Sequence, residues 1–473
     1  MRKQLNTFTQ FAHALYPHEL EYLLSIQNFN KAQNLKLLKQ IYSNTTSNSP
    51  KAFDTGIDKR TYSYVKKWIT QSLEKIDVDL FFEWLITTET KVLTDLIVPE
   101  DEARLLGSIQ KMDATNYNFI RFYELVQYYR DYLMVRNRKK NIQLVIGFLT
   151  RYQEHYQLLK EVNRRLDEMT AQIVQEEMFD PMESEVLESY LKEVYFDETL
   201  DGYTRYRAVV RLTIFYYNNR QFDEQYKVYL HLDEMLKTPL FYSKRILANY
   251  YANRAMMHSK RNELHQAETF AYLSIQNKNS DYLFYLINLC GVLLREGKKT
   301  EALVLMRKSI PELKNTSNNY YKIGFASYYI RTMIYNGMEQ NAVDYATQYF
   351  DAYKKEIFEY RWHLFMREYI RALIAAEKYP KVLALCKRYK LLNKEKIRIE
   401  RIDYLPIIQA YYYLAEYMEN SISLEKLVAS ITKAISQPMR GKYQSLRINE
   451  LLDELMPLIP EAIKSVRTEL RLN

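Results

Sequence analysis

The sequence predicts an all-α fold, because turn-forming residues are scarce and apolar residues recur with a helical period. Only 9 glycines and 11 prolines occur in 473 residues, which argues against sandwiches, barrels and Rossmann-type sheets, since these need many tight turns. Apolar positions recur about every 3.6 residues along most of the chain, and no segment shows the alternation of a half-buried strand. A hydrophobic content of 47% with 26% charged residues is typical of a globular chain rather than a disordered one.

Two apolar stripes show this period clearly. They lie in residues 58–76, with Tyr62, Val65, Trp68, Ile69, Leu73 and Ile76 on one face, and in residues 447–473, with Ile448, Leu451, Leu452, Leu455 and Met456. We expect the first stripe to face a core and the second to cap the end of a helical stack.

Polar breaks divide the chain into regions. The segment Ser43–Pro50 is polar and closed by proline, Asp180–Pro181 combines a helix cap with a helix start, and Asp197–Gly202 forms a third break. Residues 138–178 contain no proline and predict one very long helix or two abutting helices. The predicted regions are an N-terminal helical bundle over 1–112, a long-helix connection over 113–200, helical repeats over 201–436 and capping helices over 437–473.

Several segments from residue 205 onward align with one another as a helix, a short turn and a second helix. Equivalent positions in the second helices are 225, 267, 302, 342 and 382, spaced by 42, 35, 40 and 40 residues. Alanine occupies three of them, at Ala267, Ala302 and Ala342, whereas Gln225 and Val382 occupy the other two. Residues 203–436 therefore resemble the tetratricopeptide repeat, a helix–turn–helix unit of about 34 residues.

The resemblance implies a right-handed superhelix in which the first helix of each unit lines a concave groove. Ala255 and Cys290 then take the small position of two first helices. The groove positions are basic in every aligned unit, at Arg207, Arg211, Lys260, Arg295, Arg331, Arg367 and Arg371. Because a guanidinium binds a carboxylate through two parallel hydrogen bonds, this row predicts a groove for an acidic or carboxylate-ended peptide. The alternative is that these side chains pair with glutamates of neighbouring helices or face solvent.

Two further clusters of basic residues predict a different kind of partner. The first comprises Arg136, Arg138, Lys139 and Lys140, and the second comprises Lys387, Arg388 and Lys390, followed by Lys394, Lys396, Arg398 and Arg401. The formal net charge is +9, and clustered cations next to aromatic residues suit nucleic acid. The alternative is a solvated surface, with the cations of the second cluster favoured at a helix C-terminus.

No motif for catalysis, a metal or a cofactor stands out. The seven histidines form no His-Glu-x-x-His pattern, and Gly297–Thr300 lacks the upstream glycine and the preceding strand of a phosphate loop. Cys290 and Cys386 lie in apolar helical contexts and predict buried free thiols. We expect no cofactor and no metal, and an enzyme is the third and least favoured hypothesis.

The expected function is a non-catalytic interaction scaffold or adaptor in a bacterial-type cytoplasm. Its partner would be a protein or an acidic peptide, within a larger complex. The alternative hypothesis is a basic RNA- or ribosome-associated factor. No apolar run of about 18 residues predicts a membrane span, and Met1–Phe8 is not followed by the apolar run of a secretory signal.

Overall fold

The computed structural model describes residues 2–46, 50–174, 181–398, 404–436 and 442–470, and over these residues the protein is all-helical. Its contacts separate two compact units, unit 1 over Met1–Tyr250 and unit 2 over Tyr251–Asn473. The boundary falls within a single helix, Lys244–Lys260. The predicted breaks near 112 and 200 thus lie inside unit 1, and the predicted break near 436 lies inside unit 2.

Unit 1 consists of helices joined by short connections and one 3-10 turn, Pro239–Phe241. The helices are α1 (Arg2–His13), α2 (Pro17–Ile26), α3 (Ala32–Thr46), α4 (Lys59–Glu74), α5 (Val78–Leu93), α6 (Pro99–Lys111), α7 (Phe119–Val135), α8 (Lys139–Val174), α9 (Pro181–Phe196), α10 (Gly202–Asn218), α11 (Phe222–Leu236) and the start of α12 (Lys244–Lys260).

These helices confirm most of the local expectations for unit 1. Helix α4 buries Tyr62, Val65, Ile69 and Leu73 of the predicted stripe, and α8 is the single long helix of the two alternatives. The predicted loop from Ser43 is wrong at its start, because α3 continues to Thr46, while residues 47–49 and Asp180 lie outside the described residues.

Unit 2 continues with helical pairs and ends in two further helices. After α12 come α13 (Leu264–Ile275), α14 (Tyr282–Arg295), α15 (Lys299–Lys308), α16 (Ile310–Asn315), α17 (Asn319–Tyr335), α18 (Glu339–Glu356), a π-helical turn (Ile357–Arg361), α19 (Trp362–Ala375), α20 (Tyr379–Tyr389), α21 (Leu391–Lys396), α22 (Ile407–Met418), α23 (Leu424–Ile435), α24 (Lys442–Leu455) and α25 (Pro460–Leu470). In the pairs α14–α15, α17–α18, α19–α20 and α22–α23, each first helix packs against its own second helix, and α14, α17 and α19 also pack against the first helix of the next pair.

A left-handed turn of the same kind joins the first helix to the second helix in successive helical pairs. One residue in each turn has a positive φ, between 55° and 76°; these residues are Arg220, Asn262, Gly297, Gly337, Glu377 and Asn420. The N–H of the following residue bonds to the carbonyl five positions back, for example Gln221 to Tyr216 at 2.9 Å and Ser421 to Glu416 at 2.8 Å. This is the Schellman arrangement, which satisfies carbonyls left free at a helix C-terminus.

These turns fall just before the second helices of the aligned segments. Their positive-φ residues are spaced by 42, 35, 40, 40 and 43 positions, which adds the pair α22–α23 at Asn420 to the five aligned segments. Equivalent turns at Asp95 and Asn137 close α5–α6 and α7–α8. The small positions of the sequence alignment are buried as expected, including Ala267, Ala302, Ala342, Ala255 and Cys290.

The turn itself is a target for a stability measurement. Replacing Gly297 with alanine should lower the free energy of unfolding by about 1 kcal/mol, because φ is +76° there. Apart from the glycine and its two chain neighbours, no described atom lies within 4 Å of the added Cβ, so a loss would report backbone conformation alone.

The reciprocal change at the equivalent turn should have the opposite sign. Glu377 has φ +56°, and its replacement by glycine should raise the free energy of unfolding by about 0.5–1 kcal/mol. Thermal and urea unfolding of both variants checks this pair of predictions, and equal signs would contradict it.

Candidate interaction surface

Three arginines of the predicted groove converge on one buried carboxylate, Glu368 of α19. Arg331 donates from Nε to Glu368 Oε2 at 3.0 Å and from Nη2 to Oε1. Arg367 Nε donates to Oε1 at 2.7 Å, and Arg371 Nη1 donates to Oε2 at 2.5 Å. Burial opposes ionisation of Glu368, but the charges of Arg331, Arg371 and Arg367 outweigh it and hold the pKa well below its ordinary value.

The network continues from Arg371 to the C-terminal helix α24. Arg371 Nε and Nη2 donate to the two carboxylate oxygens of Glu454 at 2.5 and 2.8 Å. Tyr411 of α22 donates its hydroxyl to Glu454 Oε1 and accepts from Arg371 Nε at 3.0 Å. Arg371 therefore links α19 to both α22 and α24.

A second arginine of the predicted groove meets α24 one turn away. Arg295 Nε of α14 donates to Glu450 Oε1 at 3.1 Å. Its Nη1 donates to the carbonyl and hydroxyl of Ser259 at 2.7 and 2.9 Å, and its Nη2 donates to Asn262 Oδ1 at 2.9 Å. Glu450 and Glu454 are four residues apart and therefore lie on one face of α24. Through these two glutamates, that face contacts arginines of the first helices α14 and α19.

The apolar residues of α24 are buried in the core of unit 2. Ile448, Leu451, Leu452 and Leu455 join side chains from α17, α19 and α22 there. Within the described range 181–398, α14 has no exposed residue, and α17 is exposed only at Tyr320 and Tyr335 near its ends. The face of these helices that the resemblance assigns to a groove is therefore covered.

The remaining predicted groove residues are also engaged or partly buried. In unit 1, Arg207 donates to Asn163 and Asp167 of α8, and Arg211 Nε donates to Thr170 Oγ1 at 2.6 Å. Lys260 is half-buried at the end of α12. These arginines hold neighbouring helices together, and their role in binding a partner stays a prediction.

The two basic clusters differ in how far acidic residues neutralise them. In the first, Arg136 pairs with Asp95, and Arg138 Nη1 lies 2.8 Å from Glu102 Oε1, whereas Lys139 and Lys140 are exposed at the start of α8.

The basic side chains at the start of the second cluster are exposed to solvent. Over the described part of α20 and α21, no ion pair forms within 4.0 Å of the five exposed cations Lys387, Arg388, Lys390, Lys394 and Lys396. Lys394 Nζ lies 5.4 Å from the ring centre of Phe358, and Arg388 lies 5.5 Å from that of Tyr389. Arg398 is half-buried, and Arg401 lies outside the described residues.

A buried acid lies beneath this second cluster. Glu395 of α21 is fully buried, and its Oε1 lies 3.2 Å from His363 Nε2. Burial raises the pKa of Glu395 to about 8, against the opposing effects of the N–H groups of Gln409 and Ile408 and the charge of Arg398.

Replacing Glu395 with glutamine should flatten the dependence of stability on pH. The folded pKa of about 8 exceeds the ordinary value of 4.5, so the folded chain holds the proton more tightly than the unfolded chain. The resulting stabilisation is complete below about pH 4.5 and is lost as the pH rises to about 8. Thermal unfolding between pH 5 and 8.5 checks this, with Glu154→Gln at an exposed position of α8 as the control; parallel pH profiles for wild type and Glu395→Gln would contradict the prediction.

An open cleft in unit 1 is lined in part by acidic residues whose carboxylates accept hydrogen bonds from nearby backbone groups. It has a volume of about 760 Å³ and lies between α5, α6 and the start of α7. Asp77 Oδ1 caps α5 by accepting from the N–H groups of Asp79 and Leu80, and Asp113 Oδ1 accepts from Thr115. The cleft carboxylates are thus hydrogen-bond acceptors of a cap and a turn.

Comparison with known proteins found no protein-family model, no curated protein and no solved structure that matches the chain. In the part of the chain that the structure describes, no three His, Cys, Asp or Glu side chains group as metal ligands would. Over the same residues, no helix has the length and apolar content required to cross a bilayer.

Proposed function

We propose that the chain is a non-catalytic protein-interaction scaffold built from tetratricopeptide-like helical repeats. The observation that carries the proposal is the left-handed turn that recurs at 220, 262, 297, 337, 377 and 420. Stacked helical pairs of this kind bury a shared core and present extended surfaces suited to binding other proteins.

The proposed binding surface is the arginine-bearing face of the first helices in unit 2. Arg295 and Arg371 each direct a guanidinium toward a carboxylate of α24. Planar guanidinium groups recognise carboxylates through two hydrogen bonds, and a helix that lies along first helices matches the helix-in-groove mode of recognition. A partner that presents an acidic segment suits this face.

Affinity purification of the tagged full-length chain tests the proposal. The purification is carried out from the native cell with and without nuclease, and we expect the same protein partner to be retained in both cases. Cross-links from that partner should map to α14, α17 or α19, and loss of every partner would overturn the proposal.

A matched pair of variants locates the contact. Arg295→Gln should reduce recovery of the partner, whereas Arg307→Gln, on the second helix α15, should not. A change of Arg331, Arg367 and Arg371 to glutamate would not serve as this test, because it would surround the buried Glu368 with further acids. Equal recovery by both single variants would place the contact elsewhere.

A second candidate function, nucleic-acid binding, is favoured by the exposed cations of α20 and α21. Lys387, Arg388 and Lys390 follow one another at the C-terminal end of α20 and carry no acidic partner among the described residues. Phosphates of structured RNA would neutralise such a cluster, and the aromatic rings beside it would add stacking.

Charge reversal tests this second candidate. Changing Lys387, Arg388 and Lys390 to glutamate should weaken RNA binding at low salt and reduce the slope of log affinity against log salt by about 3. The matched control reverses three exposed lysines elsewhere in unit 2, Lys426, Lys433 and Lys464. An equal effect of both triple changes would show that net charge, rather than this cluster, is responsible.

A further inference from the structure

We propose that α24 is an intramolecular ligand of the arginine-bearing face of unit 2, and that the partner binds there through an acidic amphipathic helix that takes its place. This inference rests on the proposed function, since it names the kind of partner that the same surface fits. The partner helix carries two carboxylates four residues apart, beside an apolar stripe.

The chemistry of α24 defines that partner. Glu450 and Glu454 stand one helical turn apart and reach Arg295 and Arg371, at 3.1 and 2.5 Å. Next to them, Ile448, Leu451, Leu452 and Leu455 follow the i, i+3, i+4, i+7 spacing of one helix face, and all four are buried. Two charged anchors beside one apolar face are what an amphipathic helix uses to bind a groove.

The arginines retain acceptors when α24 leaves. Arg371 also donates to Glu368, and Arg295 also donates to Ser259 and Asn262. Removal of Glu450 and Glu454 therefore does not leave either guanidinium without an acceptor, which limits the cost of vacating the site. A surface that is satisfied both with and without the extra carboxylates can exchange one acidic helix for another.

The attachment of α24 also differs from that of the repeat helices. The helices of the pairs pack closely along their lengths, as α17 does against α18 and α19. Among the described residues, the backbone of α24 comes close to α25 over a short stretch only, and α24 reaches the first helices through the side chains of its two glutamates and its apolar stripe. A helix whose backbone approaches its neighbours over a short stretch only can be exchanged with less disturbance of the helical pairs.

Exchange keeps the apolar surface covered. Release of α24 exposes its stripe and the residues of α17 and α19 beneath it, which costs free energy in proportion to the apolar area. A partner helix with the same pattern covers those residues again. The partner helix gains affinity from the same contacts that α24 makes. Its apparent affinity is reduced, because it can bind only the fraction of molecules in which α24 has left the face.

The test uses the full-length chain and a labelled synthetic peptide with the sequence of residues 442–456. Glu450→Lys combined with Glu454→Lys weakens the hold of α24, so this variant should bind the peptide about tenfold more tightly than the wild type. The control, Asp344→Lys with Asp351→Lys at two exposed positions of α18, changes the net charge equally and should bind as the wild type does. A peptide that carries lysine at both glutamate positions should not bind the variant.

Two further measurements keep the test decisive. Circular dichroism and thermal unfolding establish that the variant is folded, and Glu450→Gln with Glu454→Gln is a milder version with the same expected direction. Exchanging the charges, with Arg295→Glu and Glu450→Arg in one chain, re-forms the ion pair within the chain and repels the glutamate of the peptide, so this chain should bind the peptide no more tightly than the wild type does.

The outcomes separate this inference from the proposed function. Equal peptide binding by the variant, the control and the wild type overturns the inference. If a native partner is still captured in that case, the scaffold proposal stands without it. Tighter peptide binding by the variant together with capture of no native partner instead supports α24 as an intramolecular ligand and overturns the proposed scaffold.

Discussion

Replacing Glu368 with glutamine is expected to lower the free energy of unfolding by about 3–5 kcal/mol. Glutamine keeps the shape of the side chain but removes the negative charge that Arg331, Arg367 and Arg371 share. The carboxylate is fully buried, so solvent does not replace it. Uncompensated buried cations are among the most costly defects that a single substitution creates.

Urea and thermal unfolding measure the effect, and a matched control isolates its cause. Glu154→Gln makes the same chemical change on the exposed surface of α8 and should alter stability by less than about 0.5 kcal/mol. Adding Arg331→Gln to Glu368→Gln should recover part of the loss, because it removes one of the cations left without a partner. Equal stability of the Glu368 and Glu154 variants would show that the network contributes little.

The loss should also persist in salt. Mobile ions screen exposed charges, with a Debye length of about 3 Å at 1 M, but they do not enter a buried cluster. The difference between the Glu368 variant and the wild type should therefore be similar at 0.1 and 1 M sodium chloride. Disappearance of the difference at high salt would place these charges at the surface.

The local elements follow from the sequence because their causes are local. The stripe from Tyr62 to Leu73 is spaced for one helix face, and α4 buries it. The repeat spacing was visible because small residues at Ala267, Ala302 and Ala342 mark where helices approach. Most of the turns carried a weaker signal, because only Gly297 and Gly337 among the six positive-φ residues of the repeated pairs are glycines.

The acceptors of the predicted groove arginines depend on contacts that no spacing reveals. Arg371 and Glu454 lie 83 positions apart, and Arg295 and Glu450 lie 155 positions apart. The apolar stripe from Ile448 to Leu455 is buried in α24, but nothing in its pattern related the glutamates of this helix to particular arginines. One signal was present, since Glu368 and Arg371 have the i, i+3 spacing of an intrahelical pair.

The N-terminal helices of unit 1 show the same limit at longer range. His18 Nε2 of α2 lies 3.2 Å from Asp233 Oδ1 of α11, and Glu19 Oε1 accepts from the Tyr242 hydroxyl at 2.6 Å, across 223 positions. The sequence before residue 200 matched no known repeat, so it offered no register in which to pair these groups. The contribution of these groups to stability depends on their burial in the fold, which their spacing in the sequence does not reveal.

Replacing Tyr242 with phenylalanine is expected to lower the free energy of unfolding by about 2 kcal/mol, because the buried carboxylate of Glu19 loses a hydrogen-bond donor. The backbone N–H of Tyr16 still donates to Glu19 Oε2, at 2.7 Å. The matched control is Tyr272→Phe, which removes a tyrosine hydroxyl bonded to Glu301 at the exposed surface, and it should cost less than about 0.5 kcal/mol.

The pH dependence of the stability lost in Tyr242→Phe shows whether the loss arises from the Glu19 carboxylate. Burial raises the pKa of Glu19, and the charge of Lys244 and the Tyr242 hydroxyl counteract part of the rise. Without the hydroxyl, the folded pKa rises further, so the folded chain gives up its proton at a higher pH than before. Stability linked to this proton is complete below the ordinary pKa and lost as the pH rises through the folded value, so the cost of Tyr242→Phe should grow with pH. Thermal unfolding at pH 5 and pH 8 measures this growth; a loss independent of pH, or one equal to that of Tyr272→Phe, would show that the Glu19 carboxylate does not depend on the tyrosine hydroxyl.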